Sequence, residues 1–237
     1  MGERVDATGA AYAGSQMQTQ LYVNVRTAQL DDAIRAEFPS LAGARLEWRR
    51  PLADAGFREY WDRAFLERVD LGQHAAELGS FWPTGGPHWD ALAVVQRPDD
   101  QRPGVLLVEG KSYPDEFFGS GCQAMSGSPS RMRIESSLAW TQHQLSVACR
   151  SPADWCGRLY QSANRLAHLC WLRSLGVRAW LAHLLFIDDP HQPTSIDQWA
   201  RAVRAVNADL GLDGVPLDGA GHVLLQGGPR RELVPEP

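Results

Sequence analysis

Three side chains have types and spacing that could do chemistry together: Asp90, Glu109 and Lys111. Asp90 follows Trp89 and opens the apolar run Ala91-Leu-Ala-Val-Val95, and Glu109 and Lys111 close the run Gly104-Val-Leu-Leu-Val108. Both runs read as strands, with the polar segment 98–103 between them as a hairpin loop. An antiparallel hairpin about that loop sets Asp90 opposite the Glu109–Lys111 stretch, and the two-residue period of a strand puts Glu109 and Lys111 on one face. Two carboxylates and an ammonium then gather at one end of a sheet. Like charges a few ångströms apart favour a cation between them, and hard oxygen donors suit Mg²⁺ or Mn²⁺. An ion there polarises a phosphate and acidifies an attacking water, which Lys111 would orient or deprotonate. The plainer alternative is a cross-strand ion pair on the surface, which is worth little.

One feature of the composition separates the two. Of the 23 basic residues, Lys111 is the only lysine and the rest are arginine. Such a bias fits a GC-rich bacterial genome in which arginine has replaced lysine wherever it serves. An ammonium shifts its pKa readily and can exchange protons with water, whereas a guanidinium stays charged and presents a broad planar fork. A position that must handle a proton beside a metal tolerates lysine and rejects arginine.

The 237 residues suffice for one full-sized α/β domain, and a hydrophobic share of 44% is that of a globular protein. No apolar stretch is long enough to span a bilayer, so no membrane partner is expected. The four cysteines lack C-x-x-C pairing, and with no secretion signal in residues 1–15 they read as reduced thiols of a cytoplasmic protein. Histidines at zinc spacing and a G-x-S-x-G elbow are missing, which leaves zinc hydrolysis and Ser-His-Asp catalysis without support. Net charge is −5, yet from Phe117 to Ile187 seven arginines face only Glu135 and Asp154. That local excess of positive charge is the footprint expected of a phosphate-backbone contact.

The elements that must position the three residues follow from periodicity. Residues 16–40 hold an apolar stretch, ambiguous between helix and strand, and a helical pattern ending at Pro39; Arg45–Arg49 alternates briefly. Phe57–Val69 reads as an amphipathic helix with Phe57, Tyr60, Trp61, Ala64 and Phe65 on its apolar face, and Leu78–Trp82 as a short strand. Strands are expected over 88–96 and 104–113, helices over 134–147 and from Ser151 to Leu175, a buried strand at Ala179–Ile187 and a helix from Thr194 to Leu210. Residues 1–15 read as a flexible leader, 16–212 as a single domain, and the Pro/Gly-rich tail 213–237 as loosely ordered. Most tryptophans, Trp61, Trp171 and Trp180 among them, fall at core-facing positions.

Trp89-Asp90 followed by Glu109-Gly110-Lys111 resembles the D…(D/E)-x-K signature of the PD-(D/E)XK nuclease superfamily, over a region of about 57–187. The resemblance implies a restriction-endonuclease-like αβββαβ core, with a mixed central sheet flanked by helices and an insertion at 113–150. It implies a Mg²⁺- (or Mn²⁺-) dependent nuclease, acting on DNA rather than RNA, with Asp90 and Glu109 on the metal and Lys111 beside the water. Trp89 stands where the signature has proline. Members often add an acid from the first core helix; Glu59, Asp62 and Glu67 are the candidates, with Glu67 favoured because it flanks the apolar face. On the second core helix Tyr160 shares a face with Asn164, and Gln161 with Arg165. Gln161 and Tyr160 are the accessory candidates there, against a plainer role as polar edges of a packed helix. Glu116 reads as a loop acid that could also reach the site through water. The other class of function open at this point is a nuclease-fold module that binds nucleic acid or a protein partner without cutting.

Overall fold

The computed structural model describes residues 4–98, 100–147, 155–215 and 217–234. Among them the chain builds an α/β fold in which helices cover both faces of a five-stranded mixed sheet. The strands are β1 (Arg45–Arg50), β2 (Ala91–Arg97), β3 (Asp100–Lys111), β4 (Ala179–Ile187) and β5 (Ala220–Gln226), side by side in sequence order. β1, β2 and β3 form an antiparallel meander; β3, β4 and β5 run parallel. β4 is buried over nearly its whole length, as a near-continuous apolar strand covered on both faces must be.

The helices are α1 (Gly14–Asn24), α2 (Thr27–Glu37), α3 (Asp62–Arg68), α4 (Ala75–Phe81), α5 (Pro129–Gln144), α6 (Tyr160–Ser174) and α7 (Ile196–Leu210). Strand alternation divides the core in two. Leu92, Val94, Val105, Leu107, Leu181 and Leu185 face α3 to α7. Ala91, Ala93, Leu106, Val108, Ala182 and Leu184 face α1 and α2. α7 shows why these boundaries hold: Ser195 and Gln198 form a reciprocal capping box, and Gly211 ends the helix at φ 77°.

Several expectations are corrected. Leu78–Trp82 is not a strand, because α4 covers Ala75–Phe81; the first strand is the short alternating segment at Arg45–Arg50. The helix expected over Phe57–Val69 is cut to α3, Asp62–Arg68, because the positive φ of Phe57 and of Asp62 at its first position (52° and 49°) breaks any continuous helix before it. The fold therefore starts near residue 14, well before 57, with α1 as the helix next to the future site. Residues 4–13 are not a free leader: Val5 bridges to Ala11, Ala10 and Ala11 are buried, and Arg230 binds Asp6 and the Ala11 carbonyl. Part of the tail supplies β5, whose Val223 and Leu225 join the core. The segment 113–150 is integrated through α5, whose Ile134 and Leu138 pack into the larger core. Trp61 is not a core residue and stands 42% exposed.

No helix among the described residues is long and apolar enough to cross a membrane. Cys122, Cys156 and Cys170 are free thiols, and Cys149 lies outside the described residues.

Candidate active site

The β2–β3 register pairs Ala91 with Val108, which puts Asp90 across from Glu109 at the open end of the hairpin. Asp90 shares strand parity with Leu92 and Val94, and Glu109 and Lys111 share it with Val105 and Leu107, so all three face α6. The structure thus brings them together. Lys111 Nζ lies 2.8 Å from Glu109 Oε1, and the Gly110 amide between them donates to Asp90 Oδ2 at 2.8 Å.

Gly110 itself points to the other face, where α1 crosses it. A Cβ there would collide with Thr19 Oγ1 and come within 3.3 Å of the Ser15 carbonyl, so the missing side chain is what lets α1 lie directly on the strand.

Helix α6 closes the site from above. One turn separates Gln161 from Arg165, and both reach Glu109. Gln161 Nε2 donates to Glu109 Oε1 at 2.7 Å while its own carbonyl oxygen accepts from Lys111 Nζ at 2.9 Å. Arg165 donates Nε to Glu109 Oε2 at 2.8 Å, binds the His88 carbonyl at 2.8 Å, and lies over the Trp89 ring at 5.0 Å. Tyr160 turns elsewhere: it stacks on Trp82, and burial raises its phenol beside Cys122. Glu67 is not in the site; it is half-exposed and tied to Arg63 at 2.6 Å on α3. Glu116 caps the turn after β3 by accepting from the amides of Ser112 and Tyr113, and also from Ser15 Oγ.

A third cation arrives through an irregularity in β1. Trp48 pairs with Ala93 but Arg50 pairs with Leu92, so one extra residue is accommodated between them. The bulge turns Arg50 from the α1/α2 face, where Leu46 and Trp48 sit, to the face of Asp90. Arg50 is 2% exposed and held by Glu59 at 3.1 Å and by the Arg58 carbonyl at 3.1 Å. Burial lowers its pKa, against the opposing pull of Asp90, Glu59 and Glu109.

The two carboxylates end in opposite electrostatic states. Burial alone would raise Glu109, but Arg165 and Lys111 outweigh it and hold the carboxyl down at about 2. Burial and the neighbouring Glu109 push Asp90 up to about 7, against Lys111, the Gly110 amide and Arg50. Asp90 keeps part of its surface open to solvent, and Oδ1 takes no hydrogen bond among the described residues. One carboxylate is thus held by three donors, two of them cationic, and the other accepts a single backbone amide.

That difference governs how a metal would fit. No group of three His, Cys, Asp or Glu suited to an ion occurs among the described residues. Asp90 has an oxygen with no hydrogen bond among the described residues, and its charged form, disfavoured by burial and by Glu109, would be stabilised by a hard cation, so it fits Mg²⁺ or Mn²⁺. Glu109 fits by chemistry, on condition that Arg165 or Lys111 yields one of its oxygens.

Helical spacing pairs Gln161 with Arg165, and Arg165, which is not among the expected accessory residues, makes the stronger, charge-assisted contact with Glu109. Arg50 carried no sequence signal, because its place depends on the bulge. The positive charge of the basic segment 117–187 is largely paired within the fold. Arg131, Arg158, Arg165 and Arg173 pair with Glu135, Asp209, Glu109 and Asp218, and Arg133 and Arg178 bind the carbonyls of Gly79 and Arg102. Arg150 lies outside the described residues.

No family model, curated protein or solved structure matches the chain.

Proposed function

We propose that the chain is a metal-dependent nuclease of the PD-(D/E)XK kind that hydrolyses phosphodiester bonds, of DNA in the first instance. The observation that carries this reading is the convergence of Asp90, Glu109 and Lys111 on one face at the mouth of a hairpin. The sheet supports a restriction-endonuclease-like core: β1, β2 and β3 run antiparallel, with α3 and α4 between β1 and β2, and β4 follows parallel to β3 after α5 and α6.

Asp90 and Glu109 would hold Mg²⁺ or Mn²⁺, which supplies a Lewis acid for the phosphate and an acidified water. Lys111, fixed by Glu109 and Gln161, would orient the water as an ammonium, or take its proton as the neutral amine after giving up its own. Gln161 keeps that ammonium aimed, and Arg165 holds Glu109 ionised until an ion competes for it. The test is cleavage of single- and double-stranded DNA, and of RNA, by purified protein with Mg²⁺ or Mn²⁺. Activity abolished by Lys111→Ala is expected; its absence with every substrate ends the enzyme reading.

A second reading has its own observation. Three cations, Lys111, Arg165 and Arg50, surround two carboxylates, so the free site already balances its charge without metal. A nuclease-fold module that binds nucleic acid or a protein without cutting would look the same. Calorimetric titration with Mn²⁺ separates the two: heat that disappears in Asp90→Ala belongs to the nuclease, and no heat to the binding module.

A further inference from the structure

We propose that Trp61, backed by His88, is a stacking platform for a nucleobase of a single strand entering beside the Asp90–Lys111 site. The inference rests on the nuclease reading and adds how that site would hold its substrate.

Of the nine tryptophans, Trp61 alone is strongly exposed, at 42%. A single exposed aromatic needs no special account; three features set this one apart. Its ring lies parallel to His88, 4.5 Å between centroids at 4°, so its orientation is fixed by a stack while part of its surface stays open to solvent. Its backbone is pinned by the next residue: Asp62 adopts φ 49°, and its carboxylate accepts from the amides of Gly85 at 2.9 Å and Gly86 at 2.8 Å. A non-glycine residue in that region persists only when its surroundings hold it there.

The third feature is the tie to the site. His88 is two residues from Asp90, so the chain keeps them within about 7 Å. Its ring bonds Glu59 at 3.1 Å, Glu59 holds Arg50, and Arg50 faces Asp90. Its carbonyl accepts from Arg165, the residue that holds Glu109. The stack is therefore anchored to both carboxylates by separate routes. Arg58, three residues before Trp61, is exposed and engages no acid among the described residues, so the same segment also carries a cation available to a phosphate. Every base offers a π-face, so such a platform binds single strands with little regard to sequence.

The test uses single-stranded oligodeoxynucleotides and the matching oligoribonucleotides carrying one 2-aminopurine, titrated in Ca²⁺ so that binding is read apart from cutting. Wild-type protein is expected to quench the probe. Trp61→Ala should lose the quenching and weaken binding by about 5- to 150-fold, the range of one base–aromatic stack. Trp61→Phe should recover part of it, and affinity for a fully paired duplex should change less than about twofold, because its bases are already stacked. Circular dichroism checks that the surface variant keeps its fold. Single-strand affinity indifferent to Trp61→Ala, an unquenched probe, or equal loss on duplex would each overturn the platform. Cleavage assays with Lys111→Ala run in parallel: Lys111-dependent cutting with binding indifferent to Trp61 removes the platform and leaves the nuclease. Trp61-dependent binding with no cutting removes the nuclease.

Discussion

Replacing Asp90 by asparagine tests the electrostatics of the site without touching its shape. Asparagine keeps an oxygen to accept the Gly110 amide, which Asp90 Oδ2 now accepts at 2.8 Å, and removes only the ionisation. The folded carboxyl titrates at about 7 and the ordinary value is 3.8, so between those pH values the unfolded chain holds fewer protons than the folded one. Stability contributed by the protonated form is complete below pH 3.8 and drains away as pH rises through 7. Three units would amount to about 4 kcal/mol, and solvent reaching the partly exposed carboxylate reduces this to about 1–3 kcal/mol. Asp90→Asn should therefore be more stable than wild type at pH 8, raising the thermal midpoint by about 4–8 °C at the middle of that range, with a smaller gain at pH 5 and stability close to wild type only below pH 3.8. His168, His183 and His222, all pushed down by burial, titrate alike in both proteins and cancel in the difference. The assay is paired thermal or urea denaturation across pH 3.5–8. Mg²⁺ added at pH 8 should stabilise the wild type by RT ln(1 + [L]/Kd) and leave Asp90→Asn unmoved. A difference that does not grow with pH, or a variant less stable at pH 8, would refute the account of Asp90.

Two further changes probe its neighbours. Arg165→Met strips the cation from Glu109 Oε2 and should cost about 3–5 kcal/mol in urea denaturation, while raising Mn²⁺ affinity because an oxygen of Glu109 is released. Stability near wild type would show that Arg165 does not hold the site. Gly110→Ala should cost about 1–3 kcal/mol by driving Thr19 and α1 off β3, and Thr19→Ala added to it should recover much of the loss; additivity in that double-mutant cycle would sink the close-approach argument.

Much of this site could be read from local pattern, and what could not depended on distant chain. The hairpin, its register and the shared face of Glu109 and Lys111 follow from a two-residue period around one loop. Gln161 with Arg165 follows from one helical turn. Phe57–Val69 misled because apolar spacing at 57, 60, 61, 64 and 65 does suit a helix, yet the positive φ at Phe57 and Asp62 breaks the segment into a turn, leaving Trp61 outside. α4 reads as a strand for the opposite reason: its seven residues are too short to show a helical period. β5 was hidden in a Gly/Pro-rich tail because its burial comes from pairing with β4, remote in sequence. Arg50 needed the bulge, and no composition announces a bulge.

The lone lysine offers the sharpest remaining test, because the structure sets it beside an arginine on the same carboxylate. Lys111 is 4% exposed, and its Nζ sits between Glu109 Oε1 at 2.8 Å and Gln161 Oε1 at 2.9 Å, while Arg165 occupies Oε2. An arginine at 111 would keep the charge but bring a wider, planar group into space already closed by α6, at about 1–3 kcal/mol of strain. It would also be unable to give up a proton. Lys111→Arg should then stay folded and bind Mn²⁺ through Asp90, yet lose cleavage by about 10²–10⁴-fold, as severely as Lys111→Ala. If Lys111→Arg instead cut DNA within about tenfold of wild type, positive charge alone would suffice at this position. The survival of one lysine among 22 arginines would then carry no chemical meaning.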